Sequence, residues 1–146
     1  SADAQKIITE KGYVSTRDGA QKYKIQSGLT GKIGISGSTS LQPLMIELAK
    51  KFESLQSGVT VSVSGGGSGT GYKNAKEGVS EFGMISETFN SEKADNCTSY
   101  EVAKDGIAVI VNKANTNDNI ALDTLMSIYN CEAGDSAVTK WDQVSK

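Results

Sequence analysis

Hydrophobic and polar positions follow two periods along this chain, and each change of period marks a new element. In Lys32–Ser36, Ile33 and Ile35 alternate with polar or small residues, the period of a short strand. Leu41, Leu44, Met45, Leu48, Ala49, Phe52 and Leu55 then recur at helical spacing, so 41–55 reads as a helix with one continuous apolar stripe. Pro43 suits its first turn, where a missing N–H costs nothing. Val59–Val63 is β-branched and alternating again, a second strand. The glycine run Gly65–Gly71 follows, then a short helix from about Tyr72 to Lys76 that closes at Gly78. Phe82-Gly83-Met84-Ile85 reads as a short apolar strand running into Ser86-Glu87. Gly106–Val111 is uninterrupted in its apolar character, the pattern of a strand buried on both faces. Ile120–Tyr129 returns to helical spacing, with Leu122, Leu125, Met126 and Tyr129 on one side. The tail, Thr139–Lys146, holds the only tryptophan, Trp141.

The first residues are less regular. Residues 2–11 read as a short helix, with Ser1 or Asp3 as its cap, Ile7 and Ile8 as its apolar edge and Gly12 just past its end. Residues 15–30 are polar and aperiodic, with Gly19, Ser27 and Gly28, and Gly31 follows them; this stretch reads as a linker. From residue 32 on, strand–helix–strand–helix alternation argues for an α/β domain built on a mainly parallel sheet. In such sheets ligands sit beyond the carboxyl ends of the strands, where helices begin. Both small-residue loops, 36–40 and 65–71, fall there.

Composition narrows the chemistry. A chain of 146 residues suffices for one domain with a core and is marginal for two. With 37% hydrophobic and 22% charged residues it has the make-up of an ordinary globular protein. A net charge of −2 exerts no pull toward nucleic acid or anionic membrane. No apolar run approaches the roughly 20 residues of a spanning helix. No secretory-leader pattern opens the chain, as expected of a mature chain or of one whose leader has been removed. The absence of histidine excludes serine–histidine triads, histidine acid–base chemistry and most zinc sites. The single arginine, Arg17, lies far in sequence from the glycine-rich loops. Cys97 and Cys131 allow either one long-range disulfide or two free thiols.

Three segments can carry chemistry. Ser36-Gly37-Ser38-Thr39-Ser40 stands directly before a helix, whose first N–H groups lack internal partners and whose dipole favours an anion. Simple N-capping needs one hydroxyl, and this loop has four in five residues. Gly65-Gly66-Gly67-Ser68-Gly69-Thr70-Gly71 has the glycine content to fold into a nest of N–H donors, or to form a flexible surface loop. It is not a nucleotide motif: Gly66 and Gly71 have the Walker A spacing, but Tyr72 follows and the lysine comes one place late, at Lys73. No register of Gly-x-Gly-x-x-Gly fits either, so neither ATP nor NAD is expected. Ser86 can donate, whereas Glu87 repels a fully ionised anion. Glu87 fits a site only if the ligand brings a proton, as phosphate does at neutral pH and sulfate does not; otherwise it is a surface glutamate. None of the three segments has a lysine or arginine at its centre, so binding would rest on dipoles and hydroxyls and depend little on salt.

Taken in order, these residues carry a resemblance. Gly37-Ser38-Thr39-Ser40-Leu41-Gln42-Pro43-Leu44, Gly67-Ser68-Gly69, Phe82-Gly83-Met84-Ile85-Ser86, the stretch Lys104 to Asn112, and the helix of Leu122, Leu125 and Ile128-Tyr129 followed by Trp141-Asp142 resemble the phosphate-binding proteins of phosphate ABC transporters over residues 32–146. The resemblance implies an α/β, periplasmic-binding-protein-like (type II) lobe, with a mainly parallel sheet flanked by helices and an incomplete second lobe. It implies no catalysis, no cofactor and no metal. It implies phosphate binding through Ser38, Thr39, Ser40, Ser68, Gly69, Ser86 and Glu87, with Glu87 where the family more often has aspartate, and one residue later. The partners it implies are inorganic phosphate and a membrane permease, with no nucleic acid, at the cell surface through a lipid anchor or in the periplasm. The family's arginine and Gly-Ser-Gly-Thr loop would lie beyond Lys146. Residues 1–14 resemble the closing helix of such a protein, an ending before a beginning, which suggests part of a tandem duplication or a permuted lobe. The expected organisation is therefore a closing helix at 1–14, a linker at 15–31, a first lobe at 32–112 and the start of a second at 113–146, with 1–14 packed on the first lobe or on a neighbouring copy. Other readings are a receptor for sulfate or molybdate, a ligand-free surface interaction or sensory domain of this fold, and a small enzyme acting on a phosphate ester, which the lack of histidine disfavours.

Overall fold

A computed structural model describes residues 1–106, 108–117, 119–130, 134 and 138–144. The chain forms two compact units, Ser1–Gly106 and Ile107–Lys146. The first holds α1 (Ala2–Glu10), β1 (Gly31–Gly37), α2 (Gln42–Leu55), β2 (Val59–Ser64), α3 (Ser68–Lys76) and β3 (Phe82–Met84). Its sheet is three-stranded, parallel throughout, and ordered β2-β1-β3. The α/β reading and the parallel sheet hold. The order reverses direction after β2. Right-handed crossovers then set α2 and α3 on opposite faces and bury the central strand between them. The second half of β1 is buried accordingly, from Ile35 to Gly37.

The core follows the helical stripe. Leu44 and Ala49 of α2 are buried, and the other stripe residues are half-buried. Val59 of β2, Tyr72 of α3, Met84 of β3 and Ala94 join them. Helix α1 packs on α2 and inserts Ile8, which is fully buried. Ser1 is its N-cap, accepting from Ala4 N–H at 3.4 Å. The chain after α1 is tied back by a two-way backbone pairing of Val14 with Lys104. The aperiodic 15–30 stretch forms no element, yet it is anchored. Tyr23 packs edge-on against Phe52 at 5.6 Å. The buried Gln56, with its amide assigned to satisfy both ends, bonds the Gln26 backbone and Tyr23 Oη.

Two glutamates finish the sheet where strands run out. Glu53 Oε1 accepts from Val61 N–H of β2 at 2.7 Å. Glu81 Oε2 accepts from Gly34 N–H of β1 at 2.6 Å, just before the short β3 begins. A buried polar knot lies beside it. Ser36 Oγ and Ser80 Oγ are 2.9 Å apart, and Asn74 Nδ2 donates to Ser36 Oγ at 3.0 Å.

Glycine permits the closest packing of all. A Cβ on Gly71 would run into the Met84 carbonyl, and one on Gly83 into the Gly71 carbonyl. A Cβ on Gly37 would likewise strike the Met84 backbone, at a φ of +135° that side chains rarely adopt. These contacts press α3 directly onto the ends of β1 and β3.

Two expectations are corrected. Helix α3 begins at Ser68, not near Tyr72, so Gly69 and Gly71 belong to the helix and only Gly65–Gly67 form the loop. Glycine's low helix propensity concealed a first turn that tertiary packing requires. The apolar run 106–111 forms no strand at its described residues, and Ile110 is 89% exposed; Ile107 lies outside the described residues. A doubly buried strand needs ladder partners and cover on both faces, and apolar character alone supplies neither. The second unit contains α4 (Leu122–Tyr129) and a 3-10 turn at Trp141–Gln143. Cys97 is half-buried, and Cys131 lies outside the described residues.

The glycine contacts make a paired prediction. Gly71→Ala should destabilise the chain by about 1–3 kcal/mol, because backbone cannot yield as a flexible side chain does. Gly69→Ala, in the same helix with open space around it, should be neutral or stabilise by up to about 1 kcal/mol. Urea unfolding of the two variants checks the contrast. A second prediction concerns acid. The Gly34 N–H bond holds the Glu81 carboxyl below its usual value near 4.5. Its contribution is thus present above that value and is lost as pH falls through the lower folded one. The difference in melting temperature between wild type and Glu81→Gln should be full at neutral pH and vanish in acid.

Candidate anion site

Because all three strands are parallel, their carboxyl ends lie along one edge of the sheet. Ser38–Ser40 follows β1, Gly65–Gly67 follows β2, and Ile85–Glu87 follows β3, so the three segments singled out by sequence emerge together. Direct bonds lock them. Ser38 N–H donates to the Met84 carbonyl at 2.9 Å, and Gly67 N–H donates to the Gly37 carbonyl at 2.9 Å. Ser86 N–H donates to Ser68 Oγ at 3.1 Å, and the two serine hydroxyl oxygens are 3.3 Å apart.

Ser38 is buried and holds the turn before α2, its Oγ accepting from Leu41 N–H at 3.3 Å. Its carbonyl accepts from Gln42 N–H. Thr39 and Ser40 are exposed. The Ser40 carbonyl accepts from Tyr13 Oη at 3.1 Å, which ties the turn after α1 to this loop. Gly67, with φ +85°, is the N-cap of α3 and has no side chain to satisfy the first amides. Among the described residues, the N–H groups of Thr39, Ser40, Ser68, Gly69 and Thr70 donate to no partner within the chain. Two neighbouring helix starts therefore present unpaired donors at one edge, backed by the Ser68 and Ser86 hydroxyls. Such an arrangement accepts an anion without a formal positive charge.

Glu87 is not a bare carboxylate. Its Oε1 lies 2.8 Å from Lys93 Nζ, and that ammonium sits 5.1 Å from the centre of the Tyr72 ring. Tyr72 Oη accepts from Asn90 N–H at 2.9 Å and donates to the Thr88 carbonyl at 3.4 Å. Phe89 stacks on the same ring at 5.9 Å. Tyr72 is four residues after Ser68 in α3, hence on the same face. Residues 86–93 thus form a strap along that face. Sequence reading missed Lys93 and Tyr72, since neither belongs to a motif. The one available signal was the Ser68–Tyr72 spacing, visible only once α3 is started at Ser68.

A surface groove of about 470 Å³ lies against α1, Thr16, Arg17 and 99–102. There the Gln5 side-chain carbonyl accepts from Ser15 Oγ and Thr16 N–H. Arg17 lines that groove and none of the three loops. Among the described residues, no group of acidic, cysteine or histidine side chains could hold a metal. Among them, too, no helix is long and apolar enough to cross a membrane.

This fold and this edge define a class. The profile of the PBP superfamily domain matches residues 16–146, and the chain belongs to that family. Its relatives are phosphate-binding proteins. It is 28% identical over 144 residues to phosphate-binding protein PstS 2 of Streptococcus pneumoniae serotype 4, covering 99% of this chain and 47% of that protein. It is 32% identical over 119 residues to phosphate-binding protein PstS of Bacillus subtilis, covering 79% of this chain and 39% of that protein. The crystal structure of a phosphate ABC transporter phosphate-binding protein from Streptococcus pneumoniae superposes with a TM-score of 0.83 at 28% identity, over 97% of this chain and 52% of the other. The chain spans about half the length of the curated relatives it matches.

Proposed function

We propose that this chain forms one wall of a receptor that binds inorganic phosphate and passes it to the permease of an ABC transporter. The observation that carries the reading is the set of unpaired amides at two adjacent helix starts, on a fold shared with a phosphate-binding protein. Thr39 and Ser40 bind through their amides and the Thr39 hydroxyl, while Ser38 shapes the turn from below. Ser68 and Gly69 bind from the start of α3, and Ser86 donates from the end of β3. Glu87 accepts the proton that phosphate carries. Receptor work of this kind needs no nucleophile or base, in keeping with a chain that has no histidine. The permease meets such a receptor outside the cell membrane, so the site of action is the cell surface, through a lipid anchor, or the periplasm.

Residues 1–14 serve as a closing helix for the 32–112 lobe in this reading, through Ile8 on α2, the Val14–Lys104 pairing and Tyr13 on Ser40. Residues 113–146 are, in the same reading, the start of a second, incomplete lobe.

Calorimetry on the monomeric chain tests the reading. Phosphate should bind, far more weakly than nanomolar because one wall is present, and sulfate should not displace it. Nanomolar binding by a monomer would refute the one-wall arrangement. Equal displacement by sulfate would refute phosphate as the ligand.

A further inference from the structure

A carboxylate beside an anion site is an electrostatic liability. Glu87 directly follows Ser86, which is hydrogen-bonded to the start of α3. The structure shows how the liability is met. Lys93 reaches Glu87 from the far end of the strap, and three contacts of its own hold it there. Its ammonium bonds Glu87 at 2.8 Å and lies over Tyr72. Its backbone N–H donates to the Asn90 carbonyl at 3.2 Å. Asn90 Oδ1 accepts from Glu92 N–H at 2.8 Å, closing a tight turn just before Lys93. The turn is itself moored to Tyr72 Oη through Asn90 N–H.

We propose that Lys93 is a specificity-determining residue of the anion site: it cancels the charge of Glu87 while leaving that carboxylate an acceptor only. This rests on the phosphate reading above and adds a residue to it. A neutral pair lets a site built from dipoles receive a dianion. An acceptor-only carboxylate still demands a proton on the ligand, so a protonated oxyanion is taken and a fully ionised one is refused. The remaining charged groups of α3 and the strap are Lys73, Lys76 and Glu92, and Lys76 pairs with Asp95, just past the strap, at 3.1 Å. The Glu87 bond also raises the Lys93 ammonium above its usual range, so the cation persists across physiological pH.

The pair is half-exposed, and an ordinary surface ion pair of that kind contributes little to stability. Its removal should therefore register in binding and hardly at all in unfolding. The test titrates inorganic phosphate, then sulfate, into the monomeric chain as wild type, Lys93→Met, Lys93→Arg and the double variant Glu87→Gln with Lys93→Met. Lys93→Met should weaken phosphate roughly three- to tenfold, the size expected when a carboxylate is uncovered near a dianion. Lys93→Arg should bind as wild type does. The double variant should recover phosphate binding and bind sulfate as well, because an amide donates where a carboxylate only accepts. Wild-type phosphate binding that Lys93→Met leaves unchanged would overturn this inference alone. Lys93→Arg as weak as Lys93→Met would overturn it too. No phosphate binding by wild type would overturn both the inference and the reading beneath it.

Discussion

The architecture of the first unit depends on backbone meeting backbone without side chains between. Gly37 ends β1, Gly71 lies within α3 and Gly83 lies within β3, and each faces the backbone of another of these elements. Any Cβ there would strike a carbonyl of the neighbouring element. This contact sets the depth at which α3 sits, and so the height of its N-terminus relative to the start of α2. Ser38 N–H on the Met84 carbonyl and Gly67 N–H on the Gly37 carbonyl follow from the same approach. Without it the three loops would still leave one edge of a parallel sheet, but as separate turns.

That junction also leaves unpaired amides from two loops side by side at one edge of the sheet. Glycine at the N-cap of α3 leaves the first amides uncapped, where a serine or aspartate would have consumed one. Ser38 Oγ takes only the Leu41 N–H in the turn before α2, so the Thr39 and Ser40 amides stay unpaired. Exposed helix starts without a side-chain cap are open to water or to an anion. The charges of Glu87 and Lys93, paired at 2.8 Å, sum to zero.

Much of this was legible in the sequence because it depends on local period. The stripe from Leu41 to Leu55, the alternation in 32–36 and 59–63, and the hydroxyls before Leu41 each report a local preference, and each became the element expected. The misses share the opposite cause. The start of α3 at Ser68 defies the poor helix propensity of Gly69 and Gly71 and depends on a contact with β3, fifteen residues or so away in sequence. The apolar run at 106–111 failed as a strand because pairing is a tertiary fact. Lys93 was invisible for the same reason: its meaning comes from Tyr72 and Glu87, not from its neighbours in the chain.

Whether the two loops act as one anion site is read from amide chemical shifts followed by NMR during a phosphate titration. The Thr39, Ser40, Ser68 and Gly69 amides should move together along a single binding curve. Shifts at only one helix start, or two curves with different affinities, would contradict a single site.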